Sequence, residues 1–233
     1  MMILLKAIIL VVWAIFCIGS ARAADQVAAP YPGYGTATAF NWTGPYLGYN
    51  LGAGWNTQRI SSAFAGDWNT TNIGFIAGIQ GGYNYQIKSF LIGVEGEVDF
   101  ISGSRSISSA PGPANMVRPT GQWNWAATVG VRFGYTFENV LAFGKFGYGW
   151  VTQTLALSSP LALDLTTSFV SSTNGGELLG AGVEYSFPGS AWTAKVEYDY
   201  VVMANRKYTV SIPNTVTVSP NLQMLKIGFN FRM

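Results

Sequence analysis

Apolar residues alternate one for one with polar residues or glycine over eight separate stretches of the chain, and a two-residue period of that kind fits an extended strand with unlike faces. The fourth stretch is the clearest. There Trp123, Trp125, Ala127, Val129, Val131, Phe133 and Tyr135 face away from Asn124, Thr128, Gly130, Arg132 and Gly134. Leu47, Tyr49, Leu51, Ala53 and Trp55 open the series, and Leu225, Ile227, Phe229 and Phe231 close it. The same rhythm runs through residues 73–85, 90–100, 140–150, 179–187 and 192–200. An all-β chain follows.

The connections between these stretches run long, short, long, short, long, short, long. The long ones, near 57–72, 102–121, 152–176 and 203–221, are rich in Ser, Thr, Asn, Gly and Pro, and the short ones fall near 86–89, 136–139 and 188–191. An even strand number, with short turns on one side and long loops on the other, is the layout of outer-membrane barrels, whose turns face the periplasm. Strands of about 10 residues also match the tilted length that crosses a membrane. The predicted fold is an eight-stranded antiparallel transmembrane β-barrel. A soluble eight-stranded barrel would turn its apolar face inward around a ligand. Here the opposite face carries the charges, which suits a lumen, and the aromatic face suits lipid. With both termini periplasmic, Tyr46, Tyr83, Tyr85, Phe90, Phe133, Tyr135, Tyr185, Trp192 and Phe231 fall at one rim. Trp55, Phe100, Trp123, Trp125, Trp150 and Tyr200 fall at the other, giving the two aromatic girdles expected at headgroup level.

Ahead of the strands stands the only long apolar run. Lys6 precedes a charge-free stretch over 7–18, and Ala21-Arg22-Ala23 supplies the small residues of a cleavage site, so residues 1–23 read as a secretory signal peptide. An apolar core of that length is too short to span a membrane. Residues 24–41, rich in Ala, Pro, Gly and Tyr, read as a periplasmic linker, and 42–233 as the barrel. Removing the leader also removes Lys6, Arg22 and the single cysteine, Cys17. What remains is electrically neutral, which argues against a nucleic-acid partner.

Only 10% of the residues are charged, and no histidine is present. Histidine-based triads, most catalytic zinc sites and the usual haem ligand are thereby excluded. No catalytic residue, metal site or cofactor is expected. The charges that do occur concentrate on the inward face: Glu95, Glu97, Asp99, Glu184, Glu197 and Asp199 against Arg132, Lys145, Lys195, Lys226 and Arg232. An eight-stranded barrel is just wide enough for side chains to fill, and buried charges require partners. Glu184 and Lys195 flank one short turn and should lie side by side. Glu95 and Glu97 sit on the strand next to Arg132, with Lys145 one strand further, and inward glycines such as Gly48, Gly52, Gly130 and Gly147 leave room for long side chains. Two readings of this set stay open, a plug of ion pairs or the lining of a small solute path.

Four segments together carry a family resemblance. Asn41-Trp42-Thr43-Gly44-Pro45-Tyr46-Leu47-Gly48 resembles the opening strand of small alphaproteobacterial outer-membrane immunogenic or porin-like barrels, eight-stranded barrels of the OmpA type. Gly180-Ala181-Gly182-Val183-Glu184-Tyr185, Trp192-Thr193-Ala194-Lys195-Val196-Glu197-Tyr198 and Leu225-Lys226-Ile227-Gly228-Phe229-Asn230-Phe231 are similar to later strands of that family. The resemblance covers about residues 41–233 and implies an outer-membrane, surface-exposed protein of a Gram-negative cell, with porin activity suggested for the family. One departure stands out. Such chains usually end in Phe, the residue read by the barrel-assembly machinery, whereas this one ends Phe231-Arg232-Met233.

The expected role is structural: an outer-membrane barrel that contributes to membrane integrity and meets the cell's surroundings through its loops. Its expected partners are outer-membrane lipid, lipopolysaccharide, the barrel-assembly machinery and host surface molecules. Arg206 and Lys207 lie at the base of the last long loop, where cations meet anionic headgroups. Tyr208, Val210 and Ile212, then Pro213-Asn214, then Val216 and Val218 predict a hairpin in that loop. A narrow porin and a loop-borne haem-binding or adhesin receptor are the alternatives.

Overall fold

The computed structural model describes residues 40–62, 66–108, 118–158, 168–211 and 214–233, with the side chains of the outermost strand segments left out of the description. The predicted signal peptide (1–23) and nearly all of the predicted 24–41 linker lie outside the described residues. Nine strands occur among them: β1 (Gly44–Ser62), β2 (Gly66–Ile87), β3 (Phe90–Ser108), β4 (Arg118–Phe137), β5 (Val140–Ser158), β6 (Ser168–Ser186), β7 (Trp192–Met203), β8 (Arg206–Ser211) and β9 (Asn214–Arg232). Each pairs antiparallel with its neighbour, and β1 pairs with β9, so the sheet closes on itself. β8 pairs only with the beginning of β9, as the arm of a hairpin, leaving eight staves in the wall. Closure leaves the eight-stave wall without a free edge, and its strand hydrogen bonds are met within the wall, as a lipid environment demands.

Three short turns share one end of the barrel with residues 40–43 and the C-terminal Met233. Ile87 pairs with Phe90 and Phe137 with Val140, which leaves two-residue loops at Lys88-Ser89 and Glu138-Asn139. Lys88 and Glu138 take φ of 57° and 52°, the left-handed backbone that such tight hairpins need. At the other end the strands continue well past the length that crosses a membrane. β1 and β2 remain paired out to Ser62 opposite Gly66, and β4 and β5 out to Arg118 opposite Ser158. The predicted long loops are therefore mostly ladder. Their sequence hides this because both faces of a strand meet water beyond the membrane, and the alternation fades while the backbone pairing does not.

Orientation of the faces follows the prediction. Phe90, Ile79, Leu47, Phe146 and Phe133 are each more than half exposed on the outside, a continuous apolar surface that a soluble protein could not carry. Cross-strand aromatic pairs stiffen it near the turn end, among them Phe90 with Tyr135 (ring centroids 5.3 Å apart) and Trp192 with Phe231 (5.2 Å). Tyr46 is the exception among the predicted girdle residues whose side chains are described; the Trp123 side chain lies outside the described residues. Tyr46 shares the parity of Gly48 and Asn50, so its ring points inward and is buried.

The lumen is not uniformly polar. Ile76, Ile101, Ala126, Val151, Leu178, Val201, Met203, Leu222 and Met224 form a buried apolar cluster inside the barrel, toward the long-strand end. A second cluster, Trp42 with Leu91, Leu141 and Phe143, fills the turn end, with Phe40 packed against it. These residues occupy the same parity as the charged ones. The lumen is thus layered, with charge between two apolar seals.

The inward glycines serve wall curvature as much as space. A Cβ on Gly147 would collide with the Val129 carbonyl oxygen and the Gly130 Cα on the adjacent strand, because a narrow barrel crowds its concave face. Gly147→Ala is expected to lower unfolding free energy by about 1–3 kcal/mol. Gly96→Ala, on the outer face where a Cβ would meet only the Thr128 carbonyl oxygen at 3.8 Å, should change it little, both variants being compared with the parent by urea titration in lipid vesicles.

Candidate functional site

The charged layer is built from six strands. Glu95, Glu97 and Asp99 stand on β3, and Lys195, Glu197 and Asp199 on β7, in each case at alternate positions that put all three on one face. Arg132 comes from β4, Lys145 from β5, Glu184 from β6 and Lys226 from β9. All ten are at most 4% exposed. β3 and β7 lie on opposite sides of the eight-stave ring, so the pairs between them cross the lumen rather than run along the wall.

At the centre, three carboxylates share two ammonium groups. Glu95, Glu97 and Glu197 bring one oxygen each within 4.8 Å of the others, close enough to hold a cation. Lys145 and Lys195 supply that positive charge. Lys195 lies 3.2 Å from Glu95 and 3.0 Å from Glu97, Lys145 lies 3.4 Å and 3.3 Å from the same two, and both also contact Glu197. The donor set is accounted for by lysine and gives no reason to invoke a metal. Lys226 bridges the outer side of the layer, contacting Glu97 and lying 2.8 Å from Asp199 and 3.5 Å from Asp99.

Arg132 organises the inner side. Its guanidinium pairs with Glu95 at 3.1 Å and Glu184 at 2.8 Å, donates to the Tyr46 hydroxyl at 2.7 Å, and stacks over Phe143 with 3.9 Å to the ring centroid. The Tyr46 hydroxyl in turn donates to Glu95 at 2.7 Å. Glu184 also accepts from Thr193 (2.5 Å) and Asn230 (2.9 Å), while Gln80 donates to Asn230 at 2.6 Å. Gln80, Thr193 and Asn230 were not singled out from the sequence and Tyr46 was placed in the outward-facing aromatic girdle, although the inward parity of all four marks them.

Ten of the eleven predicted lumen charges therefore meet in one network, with two adjustments. Glu184 and Lys195 are register partners as expected, but their side chains turn to other groups, Glu184 to Arg132 and Lys195 to the three glutamates. Arg232 is buried at the turn end and forms no ion pair among the described residues; it donates to the Trp42 carbonyl oxygen and lies against the rings of Phe40, Trp42 and Tyr46. It belongs to the mouth, not to the charged layer. The side chains of Arg206 and Lys207 lie outside the described residues, and their backbone forms the start of β8.

Six carboxylates face four cations in this layer. The imbalance falls on Asp99, whose one ion contact is Lys226 at 3.5 Å, whereas Asp199 meets Lys226 at 2.8 Å and Lys145 at 3.1 Å.

A family model described as the outer membrane protein beta-barrel domain matches residues 13–232. The chain belongs to that family. Relatives in it include the 31 kDa outer-membrane immunogenic protein of Brucella melitensis biotype 1, 32% identical over 245 residues that cover 98% of this chain and 100% of the relative. The 25 kDa outer-membrane immunogenic protein of Brucella canis is 25% identical over 89% of this chain and 86% of its own length. Among solved structures, that of Ail, the attachment invasion locus protein of Yersinia pestis, aligns with a TM-score of 0.42 and 16% identity, over 81% of this chain and 99% of Ail. As a member of this outer-membrane barrel family, the protein resides in the outer membrane, and its turn end faces the periplasm.

Proposed function

We infer that this protein is a sealed, structural barrel of the outer membrane that presents hairpins at the cell surface and passes no solute through its lumen. The observation that carries this reading is the layering of the lumen. A charged layer whose members are ion-paired across the barrel and almost wholly shielded from solvent lies between two packed apolar clusters. A solute path lined by those charges would need them hydrated, and apolar constrictions of this kind exclude water. The naming of the relatives as immunogenic accords with hairpins reachable from outside.

Planar-bilayer recording on refolded protein tests the reading. Silence is expected; reproducible conductance steps would establish the narrow porin instead. The surface role has three partners in view. Lipopolysaccharide phosphates suit Arg206 and Lys207 at the base of the β8–β9 hairpin, host surface molecules suit the outer hairpins, and the barrel-assembly machinery would receive β9 during insertion. Vesicle binding by an Arg206→Ala, Lys207→Ala pair, and binding of haemin and host-matrix proteins by hairpin-deleted chains, distinguish lipid contact from a receptor function.

A further inference from the structure

Just before β1 the chain does something a simple lead-in to a strand has no need to do. It enters the lumen. Trp42 is fully buried against Leu91, Leu141 and Phe143, with Phe40 edge-on to its ring at 4.9 Å. The segment is also held by polar contacts at both flanks. The Trp42 backbone N–H donates to Gln86 Oε1 at 2.8 Å, and the Gln86 backbone N–H donates to Thr43 Oγ1 at 3.1 Å. From the other side Arg232 donates to the Trp42 carbonyl oxygen.

Residues 40–43 are attached to the wall by a single backbone joint. Gly44 takes φ of 131°, a conformation that L side chains rarely adopt, and there the chain turns out of the mouth and into β1. The seat also carries a flaw. The indole Nε1 of Trp42 has no hydrogen-bond partner, and neither does Nη1 of Arg232. Buried donors left unsatisfied make the seated state less favourable than its packing alone would suggest. A side chain of the wall proper has nowhere to go; this segment, joined at one glycine, can leave without breaking a strand pair.

We propose that residues 40–43 are a withdrawable stopper for the periplasmic mouth, with Trp42 as its body and Arg232 as its latch. Seated, it keeps water from Arg132 and Glu184 on the inner side of the charged layer. Withdrawn, it opens a vestibule lined by Leu91, Leu141 and Phe143, while the apolar cluster toward the long-strand end still closes the barrel. Opening therefore gives access from the periplasm alone and no conductance, which separates this device from a pore.

Cysteine accessibility tests it. Leu141→Cys places a thiol beneath Trp42, and the unsubstituted chain, whose single cysteine is Cys17 in the leader, gives the background. A charged methanethiosulfonate reagent is applied to the folded full chain in lipid vesicles, with folding checked by circular dichroism and by gel mobility before heating. Slow labelling is expected for Leu141→Cys alone. Adding Trp42→Ala should speed it by about tenfold or more, as local opening becomes favourable, and adding Arg232→Gln should give an intermediate rate. Equal rates with and without Trp42→Ala overturn the proposal, fast rates because the mouth was never sealed and slow ones because something else seals it. Should Trp42→Ala fail to fold, Gly44→Ala, which disturbs the joint and not the seat, is held to the same expectation.

Discussion

Replacing Lys195 by methionine is expected to remove about 3–5 kcal/mol of unfolding free energy, the cost typical of leaving buried charges without their partner. Lys195 contacts Glu95, Glu97 and Glu197 at once; without it Glu95 keeps Lys145 and Arg132, Glu97 keeps Lys145 and Lys226, and Glu197 keeps Lys145 alone. The layer already holds two more carboxylates than cations, and the substitution raises that excess to three. Asp99→Asn runs the other way. Its carboxylate has one ion contact, at 3.5 Å, so neutralising it lowers the excess at little loss. Its stability should stay level or rise by about 1 kcal/mol. Urea titrations of protein in lipid vesicles measure both, read as shifts of the midpoint at constant slope. A Lys195→Met barrel within about 1 kcal/mol of the parent would mean that water already bathes these groups, since a solvated pair is worth no more than that, and the sealed reading would fall with it.

The second large effect lies one layer outward. Leu178→Ala should cost about 2–5 kcal/mol, the transfer energy of the missing atoms together with the cavity they leave. Leu178 is fully buried in the lumen cluster, whereas its neighbour Leu179 faces lipid and is 52% exposed. Leu179→Ala loses only transfer energy, about 1.5–2 kcal/mol, because lipid flows into the space. Leu178→Met, which keeps the volume, should stay under about 1.5 kcal/mol. Equal costs at 178 and 179 would show that the cluster is loosely packed and admits water. The comparison isolates packing from hydrophobicity, since the two residues are chemically identical and adjacent.

The architecture and the charged layer were legible because each rests on a local signal. Alternation reveals which residues share a face, and the parity of Glu95, Glu97 and Asp99, or of Lys195, Glu197 and Asp199, assigns the charges to the lumen before any coordinate is known. Short turns at Lys88-Ser89 and Glu138-Asn139 betray themselves by their length. What the sequence concealed depends on height along the barrel. Leu91, Leu141, Phe143, Leu178 and Met224 are apolar residues on the polar parity, and each looks like an irregularity until all of them stack into layers. The partner choices were hidden for another reason. Register places Glu184 opposite Lys195, but in so narrow a lumen a side chain reaches opposite walls as easily as its neighbour, and the glutamate goes to Arg132 instead. The β8–β9 hairpin showed in the alternation from Tyr208 to Val218; the other outer extensions were missed because water on both faces erases the pattern by which strands are recognised.

Those pairs across the barrel also constrain the order of events in time. Lys195 meets Glu95 across 100 residues of sequence, and Lys226, on the final strand, meets Glu97 across 129. None of these contacts can form while the nascent sheet is still an open ribbon, so its acidic inner face must stay hydrated until the last strand arrives. Drying of the interior and zipping of β9 onto β1 then become one event. A chain halted one strand short would hold Glu97, Asp99 and Asp199 without Lys226, a charged trough that lipid will not accept, and so would be barred from settling in the membrane half-built.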